Sequence, residues 1–410
     1  MLVLLCAIAG AACSTRTVID SGAPAATTAF PKDRIAKGAT LAAIGDCASC
    51  HTAKDGKPYA GGFPVSTPFG TVYGTNLTPD PDTGLGRWSE AEFRRALREG
   101  IGDHGEHLYP AFPYDHFTLL HDDDIGALYA FLMTRDPVRN EVPANTVIVP
   151  RAFVAVWKKL YFHPGEFRAD PSRDPRLVRG EYLAESLGHC GACHTPRNKL
   201  GAEKKDEAYA GGEVGGWHAP ALNAGSTSPA RWTADAMTAY LSTGIADDHA
   251  IAAGPMAGVT RNLGHVPKDD VEAIAAYAVS LNSGGSGARA APARRAAAGD
   301  RAESDVNGAR IYAGACGDCH DRGRAADGGA LPLQLAIAPT LPVPSNLIHI
   351  VRDGIVPQAG ERSRWMPSFA GTLTDAEMTD LVTFLRANSG YPPWTGVPAA
   401  VREEIGRAHV

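Results

Sequence analysis

Three short stretches of this chain carry residue types at a spacing that can do redox chemistry. They are Cys47-Ala48-Ser49-Cys50-His51, Cys190-Gly191-Ala192-Cys193-His194 and Cys316-Gly317-Asp318-Cys319-His320. Two thiols three residues apart on one helical turn can add to the two vinyl groups of a single porphyrin, and the next residue, His, then sits beneath the iron as its proximal ligand. One C-x-x-C alone could equally be a redox dithiol or half a zinc site. Three copies, each closed by His and each followed by the same downstream pattern, point instead to three covalently bound c-type haems. The remaining two of the eight cysteines, Cys6 and Cys13, lie in the N-terminal apolar stretch, so no pair is left for a disulfide in the mature body.

An electron-transfer haem usually takes a second axial ligand, often Met, which raises its reduction potential. The chain has six Met. Met1 is the first residue, and Met133, Met237 and Met378 fall on apolar helical stripes, where they read as core. Met256 and Met366 each follow a Gly-Ile pair (Gly244-Ile245, Gly354-Ile355) by 11 residues, in Pro-containing stretches read as loops. They are the expected sixth ligands of the second and third haems. The same count from Gly100-Ile101 reaches Phe112, which cannot ligate iron. For the first haem His116 is favoured, His104, His107 and His121 are rivals, and an open sixth position is the remaining alternative.

The elements that must position these residues recur as an internal repeat. In each copy a short helix runs into the haem motif, over Ala36 to His51, Gly180 to His194 and Gly308 to His320. A middle helix then ends at Gly-Ile, and an amphipathic helix closes the copy. The closing stripes are Ile125, Leu128 and Leu132; Val271, Ile274 and Ala278; and Met378, Leu381 and Leu385. Ser89 with Glu92 and Thr374 with Glu377 form capping-box patterns. No stretch reads as a convincing strand. The fold class is therefore all-α, as three consecutive haem domains over residues 35–135, 179–281 and 305–392.

Between them lie 136–178, whose Phe153, Val154, Val156, Trp157, Leu160, Tyr161 and Phe162 are too apolar for a free tether, and 282–304, a Gly/Ala/Arg-rich stretch read as a flexible linker that lets the third domain move. Residues 1–34 read as an export signal with its linker, from the apolar run Leu2 to Ala12. Cys13, after Gly10-Ala11-Ala12, weakly resembles a lipoprotein acylation site, plain cleavage being the alternative. Residues 393–410 form a tail, of which 404–410 read as translated adapter DNA. A net charge of −6 gives no footprint for nucleic acid, and no interior apolar run approaches the roughly 20 residues of a membrane span.

Several stretches carry a family resemblance over about Ile35 to Trp394. They are Thr67-Pro68-Phe69-Gly70-Thr71, Thr75-Asn76-Leu77-Thr78-Pro79-Asp80, Gly188-His189 through Arg197-Asn198, and Met366-Pro367-Ser368-Phe369-Ala370. With the haem motifs, they make the chain similar to the three-haem cytochrome c subunits of bacterial membrane-associated dehydrogenases. The branch serving quinoprotein alcohol and flavin-dependent sugar dehydrogenases is expected to carry Met where this chain has Phe112. The stretch from Pro110 to Phe117 instead resembles the branch paired with molybdenum hydroxylases that oxidise aldehydes or N-heteroaromatics such as nicotinate and isoquinoline. The resemblance implies a non-catalytic, periplasmic subunit attached to the membrane face. It would pass electrons from a molybdenum hydroxylase with an iron–sulfur subunit to a quinone or terminal oxidase. Two other readings stand beside it: a peroxidase-like enzyme using an open first haem, with His104 or His107 as acid/base group, and a free periplasmic shuttle.

Overall fold

The computed structural model describes residues 30–247, 249–282, 303–321, 330–357 and 364–407. The apolar N-terminal run and most of the 282–304 linker lie outside them. The first copy comprises α1 (Lys32–Ile44), α2 (Cys47–Cys50), the hairpin β1 (Pro64–Thr67) and β2 (Gly70–Tyr73), α3 (Glu90–Glu99), α4 (Tyr114–Phe117) and α5 (Asp122–Met133). After α6 (Arg151–Tyr161) the second copy contains α7 (Pro175–Glu185), α8 (Cys190–His194), β3 (Gly212–Val214), β4 (Trp217–Ala219), α9 (Ala234–Thr243), β5 (Ile245–Ala246), β6 (Ala250–Ile251), α10 (Pro255–Leu263) and α11 (Lys268–Ser280). The third has α12 (Glu303–Ala315), α13 (Gly317–His320), α14 (Ser345–Asp353) and α15 (Asp375–Asn388), followed by α16 (Val397–Arg407).

The chain is helix-rich, but the expectation of no strands is corrected by three antiparallel two-stranded ribbons, β1–β2, β3–β4 and β5–β6. These strands have two to four residues each, too few for a period-two pattern to stand out from loop sequence. The middle helices stop where expected. Gly100 and Gly244 take left-handed conformations (φ 60° and 74°) that end α3 and α9 without a Cβ penalty. Both capping boxes form, Ser89 with Glu92 and Thr374 with Glu377.

One helix pair organises every copy: α1 crosses α5, α7 crosses α11 and α12 crosses α15. Each crossing is built on a glycine. A Cβ on Gly38 would stand 2.0 Å from the Ala127 carbonyl oxygen, on Gly180 2.0 Å from that of Ala273, and on Gly308 2.3 Å from that of Asp380. Such approach is possible only without a side chain. Gly180→Ala is expected to destabilise the second copy by about 1–3 kcal/mol through overpacking, despite the better helix propensity of Ala. The contrast is Gly314 on α12, which faces open space. There the same change should stabilise by roughly 0.5–1 kcal/mol. Denaturant unfolding of the two variants checks both signs.

The connecting segment is ordered along β2: Thr146 and Ile148 donate backbone hydrogen bonds to the carbonyls of Thr71 and Phe69 (3.0 Å each). Its α6 packs less completely than the apolar count implied. Val154 is buried, whereas Phe153, Val156 and Leu160 are more than half exposed. The third copy is seated on the second. Asn346 accepts from the His218 amide (2.7 Å) and donates to the His218 carbonyl (2.9 Å), while Trp217 stacks on His349 with ring centroids 4.8 Å apart.

Candidate haem-binding sites

The three C-x-x-C-H stretches lie on short helices or helical turns that follow α1, α7 and α12. The same second contact serves each histidine. His51 Nδ1 donates to the Thr75 carbonyl (2.7 Å), His194 Nδ1 to that of Pro220 (2.7 Å) and His320 Nδ1 to that of Leu331 (3.0 Å). A backbone carbonyl can only accept, so Nδ1 carries the proton and Nε2 is left with its lone pair free for a metal. Burial lowers the pKa of His51 and His194, which favours the neutral, ligating form.

Each motif also carries its two cysteines. The six in the motifs form no disulfides. Burial pushes the Cys47 and Cys190 thiols up to about 12.

The second site has the room a porphyrin needs. A cavity of about 720 Å³ is lined by Cys190, Cys193, His194, Trp232, Tyr240 and Met256, with Ile337 and Tyr391 of the third copy also on its wall. Proximal His, both thiols and Met therefore share one largely apolar chamber, and the residues fit covalent haem. Met256 sits in the first turn of α10 rather than in an irregular loop. Pro255 at the helix start explains the misreading, since Pro is favoured in a first turn as well as in loops. Met366 lies in extended backbone, exchanging both main-chain hydrogen bonds with Ile355 (3.0 and 2.9 Å).

The first site departs from this pattern. Ile101 bridges His107 as Ile245 bridges Ile251, and Phe112 lies five residues past His107 as Met256 lies five past Ile251. Phe112 thus holds the register of Met256. His116, favoured for the axial role at the first haem, meets other partners in this structure. Its side chain is 4% exposed, Nδ1 donates to the Glu185 carbonyl (2.7 Å), and Nε2 pairs with Glu203 Oε1 (2.8 Å). Both ring nitrogens are committed to the second copy. Burial works most strongly against a charge on His116, but the Glu203 carboxylate and Asp115 outweigh it and raise the pKa. The same pairing, with Lys205, holds Glu203 down at about 2 against its burial.

His116 belongs to an internal pseudo-two-fold contact. Asp46, which precedes the first motif, accepts from Asn262 on α10, while His189, which precedes the second, meets the Phe117 ring of α4 (5.6 Å). Asp46 and His189 both take left-handed backbone (φ 49° and 35°). Gly258 of α10 backs onto Ser49, as Gly191 backs onto His116. The first two haem motifs are thereby set against each other with roles exchanged, the geometry of an isologous interface. Sequence reasoning missed Glu203, Trp217 and the three carbonyl acceptors. Main-chain atoms carry no side-chain signal, and an isolated Glu or Trp no periodic one.

A cytochrome c family model matches residues 35–136, and a model described as cytochrome c oxidase, cbb3-type, subunit III matches 303–385. The chain is 45% identical over 375 residues to a nicotinate dehydrogenase subunit of Pseudomonas putida, covering 88% of this chain and 31% of that protein. It therefore spans about a third of that relative's length. It is 35% identical over 387 residues to the gluconate 2-dehydrogenase cytochrome c subunit of Pantoea cypripedii, covering 87% of this chain and 86% of the relative. To the cytochrome c subunit of a quinone alcohol dehydrogenase from Gluconobacter oxydans it is 34% identical over 377 residues, covering 87% and 78%.

Proposed function

This chain belongs to the cytochrome c subunits of dehydrogenase complexes, and from that premise we propose that it relays electrons through three covalent haems from a catalytic partner to a membrane acceptor. The observation that carries the reading is the threefold Nδ1-to-carbonyl bond, which presents Nε2 of His51, His194 and His320 for iron. Haem, when bound, supplies a one-electron couple whose potential follows its axial ligands and surroundings. Cys47 and Cys50, Cys190 and Cys193, and Cys316 and Cys319 tether the three groups. Met256 and Met366 complete the second and third sites. The packing of the first copy on the second, and of the second on the third, supports transfer along the chain in either direction.

In this reading the electron donor is a molybdenum hydroxylase with an iron–sulfur subunit, and the acceptor is a quinone or terminal oxidase at the periplasmic membrane face. The likeness to the nicotinate dehydrogenase subunit and the Phe112 stretch support that donor. The likeness to the gluconate and alcohol dehydrogenase subunits favours a second reading, service to a flavin or quinoprotein partner. Among the described residues no helix is long and apolar enough to cross a membrane, so attachment in this reading is peripheral or through segments outside them. Complex isolated from the native membrane through this subunit is expected to contain three covalent haems per chain and molybdenum in stoichiometric amount. Pigment extracted by acid-acetone would overturn the relay; flavin or pyrroloquinoline quinone in place of molybdenum would overturn the donor.

A further inference from the structure

The Phe112 register leaves a question of chemistry at the first site: which atom faces its iron opposite His51. Two histidines of the neighbourhood have other partners, and a third points into solvent. His116 has both nitrogens bonded to the second copy. The side chain of His104 is 88% exposed. His121 pairs with Glu166 (3.1 Å) and stacks on Tyr182 with centroids 4.6 Å apart.

The register also disposes of His107. It holds the place of Ile251, and its neighbour Glu106 holds that of Ala250. Ala250 lines the cavity of the second site, and successive residues of a strand point to opposite faces. His107 therefore belongs to the face turned away from the haem. The His107 ring is held on that face with its Nδ1 buried and unpartnered, and Arg151 of α6 binds its main-chain carbonyl (2.8 Å). Phe112 is partly buried, in edge-to-face contact with Phe117 (5.2 Å) and Tyr114 (6.5 Å), and packs against the core of the first copy.

We propose that the first haem site is built without a sixth protein ligand, and that its distal side, capped by Phe112, binds one small neutral ligand of the carbon monoxide or nitric oxide class. An apolar cap offers nothing to an anion, and Glu106 on the same face disfavours one; its Oε2 is buried without a hydrogen-bond partner. Binding adds a ligand lone pair to ferrous iron and moves no proton or electron. The second and third sites, closed by Met256 and Met366, do not take part.

This inference rests on the three-haem reading, which an alkaline pyridine haem count checks separately. The test is carbon monoxide titration of the dithionite-reduced complex, followed by the Soret change, in wild type, Phe112→Met and His116→Ala. The expected result is one carbon monoxide per chain carrying three haems. Phe112→Met, which supplies a thioether at the Met256 register, should weaken binding at least tenfold and convert the first haem to a six-coordinate low-spin spectrum. His116→Ala should bind as wild type does. A chain with three covalent haems that binds no carbon monoxide overturns the inference. So does a site that Phe112→Met leaves unchanged, or one that opens only in His116→Ala.

Discussion

Met256→His is expected to lower the reduction potential of the second haem by roughly 0.2 V, a fraction of the span of about 0.8 V that axial ligands command. Met stabilises the ferrous form, whereas a second imidazole donates more strongly and favours ferric iron. At about 59 mV per decade for one electron, such a shift changes the equilibrium with the neighbouring haems more than a thousandfold. Met256 shares the cavity with His194, Cys190 and Cys193, and the ring of Trp217 fills the space beside Gly254, two residues before Met256. In a spectroelectrochemical titration one component of three should move while the other two stay near their original midpoints. Turnover of the whole complex should fall with it, because the middle haem becomes either a trap or a barrier. An unshifted set of three midpoints would remove Met256 from the iron.

Glu203→Leu is expected to cost about 3–5 kcal/mol, the range for removing one partner of a buried ion pair. The Glu203 side chain is 2% exposed and meets His116, Lys205 (2.8 Å) and Arg197 (3.6 Å). Lys205 and Arg197 can turn to water. His116 cannot, and its Nε2 would be left without an acceptor in the seam between the first two copies. His116→Leu with Glu203→Leu should cost less than the sum of the single changes, since each single change already breaks the same contact.

The pH dependence has a defined sign. Glu203, held down at about 2, contributes stability above its ordinary pKa of 4.5, and this is lost as pH falls toward 2. His116, raised from 6.5, contributes stability below that value, lost as pH rises through its higher folded value. The difference in melting temperature between wild type and Glu203→Leu should therefore be greatest between about pH 4.5 and 6.5 and narrow on either side. A difference independent of pH would assign the pair a packing role alone.

Much of the candidate site was legible because it is local. The Cys-x-x-Cys-His motifs, the glycines ending α3 and α9, the capping boxes and the closing stripes all rest on contacts within one or two helical turns. The likeness of the copies placed Met256 and Met366 at the same count from Gly-Ile, and the chamber around His194 contains Met256. The same counting reached Phe112, and His116 was favoured only for its nearness to that position. A histidine four residues along looks available in sequence, and nothing there reveals a carboxylate 87 residues away. The face of α6 misled for a related reason: apolar content shows that a segment can be buried, and only its neighbours decide which side is.

By itself, the sequence determined the chemistry that each short motif can perform, because covalent spacing and helical pitch put two thiols and an imidazole on one turn wherever that turn lies. Tertiary structure decided which partners those groups meet. It chose the carbonyls that fix the tautomers of His51, His194 and His320, turned His116 into the seam between two copies, and set Trp217 on His349. Those contacts join residues from 11 to 132 positions apart through main-chain atoms and ring faces, and their free energy comes from burial and geometry that no local pattern encodes.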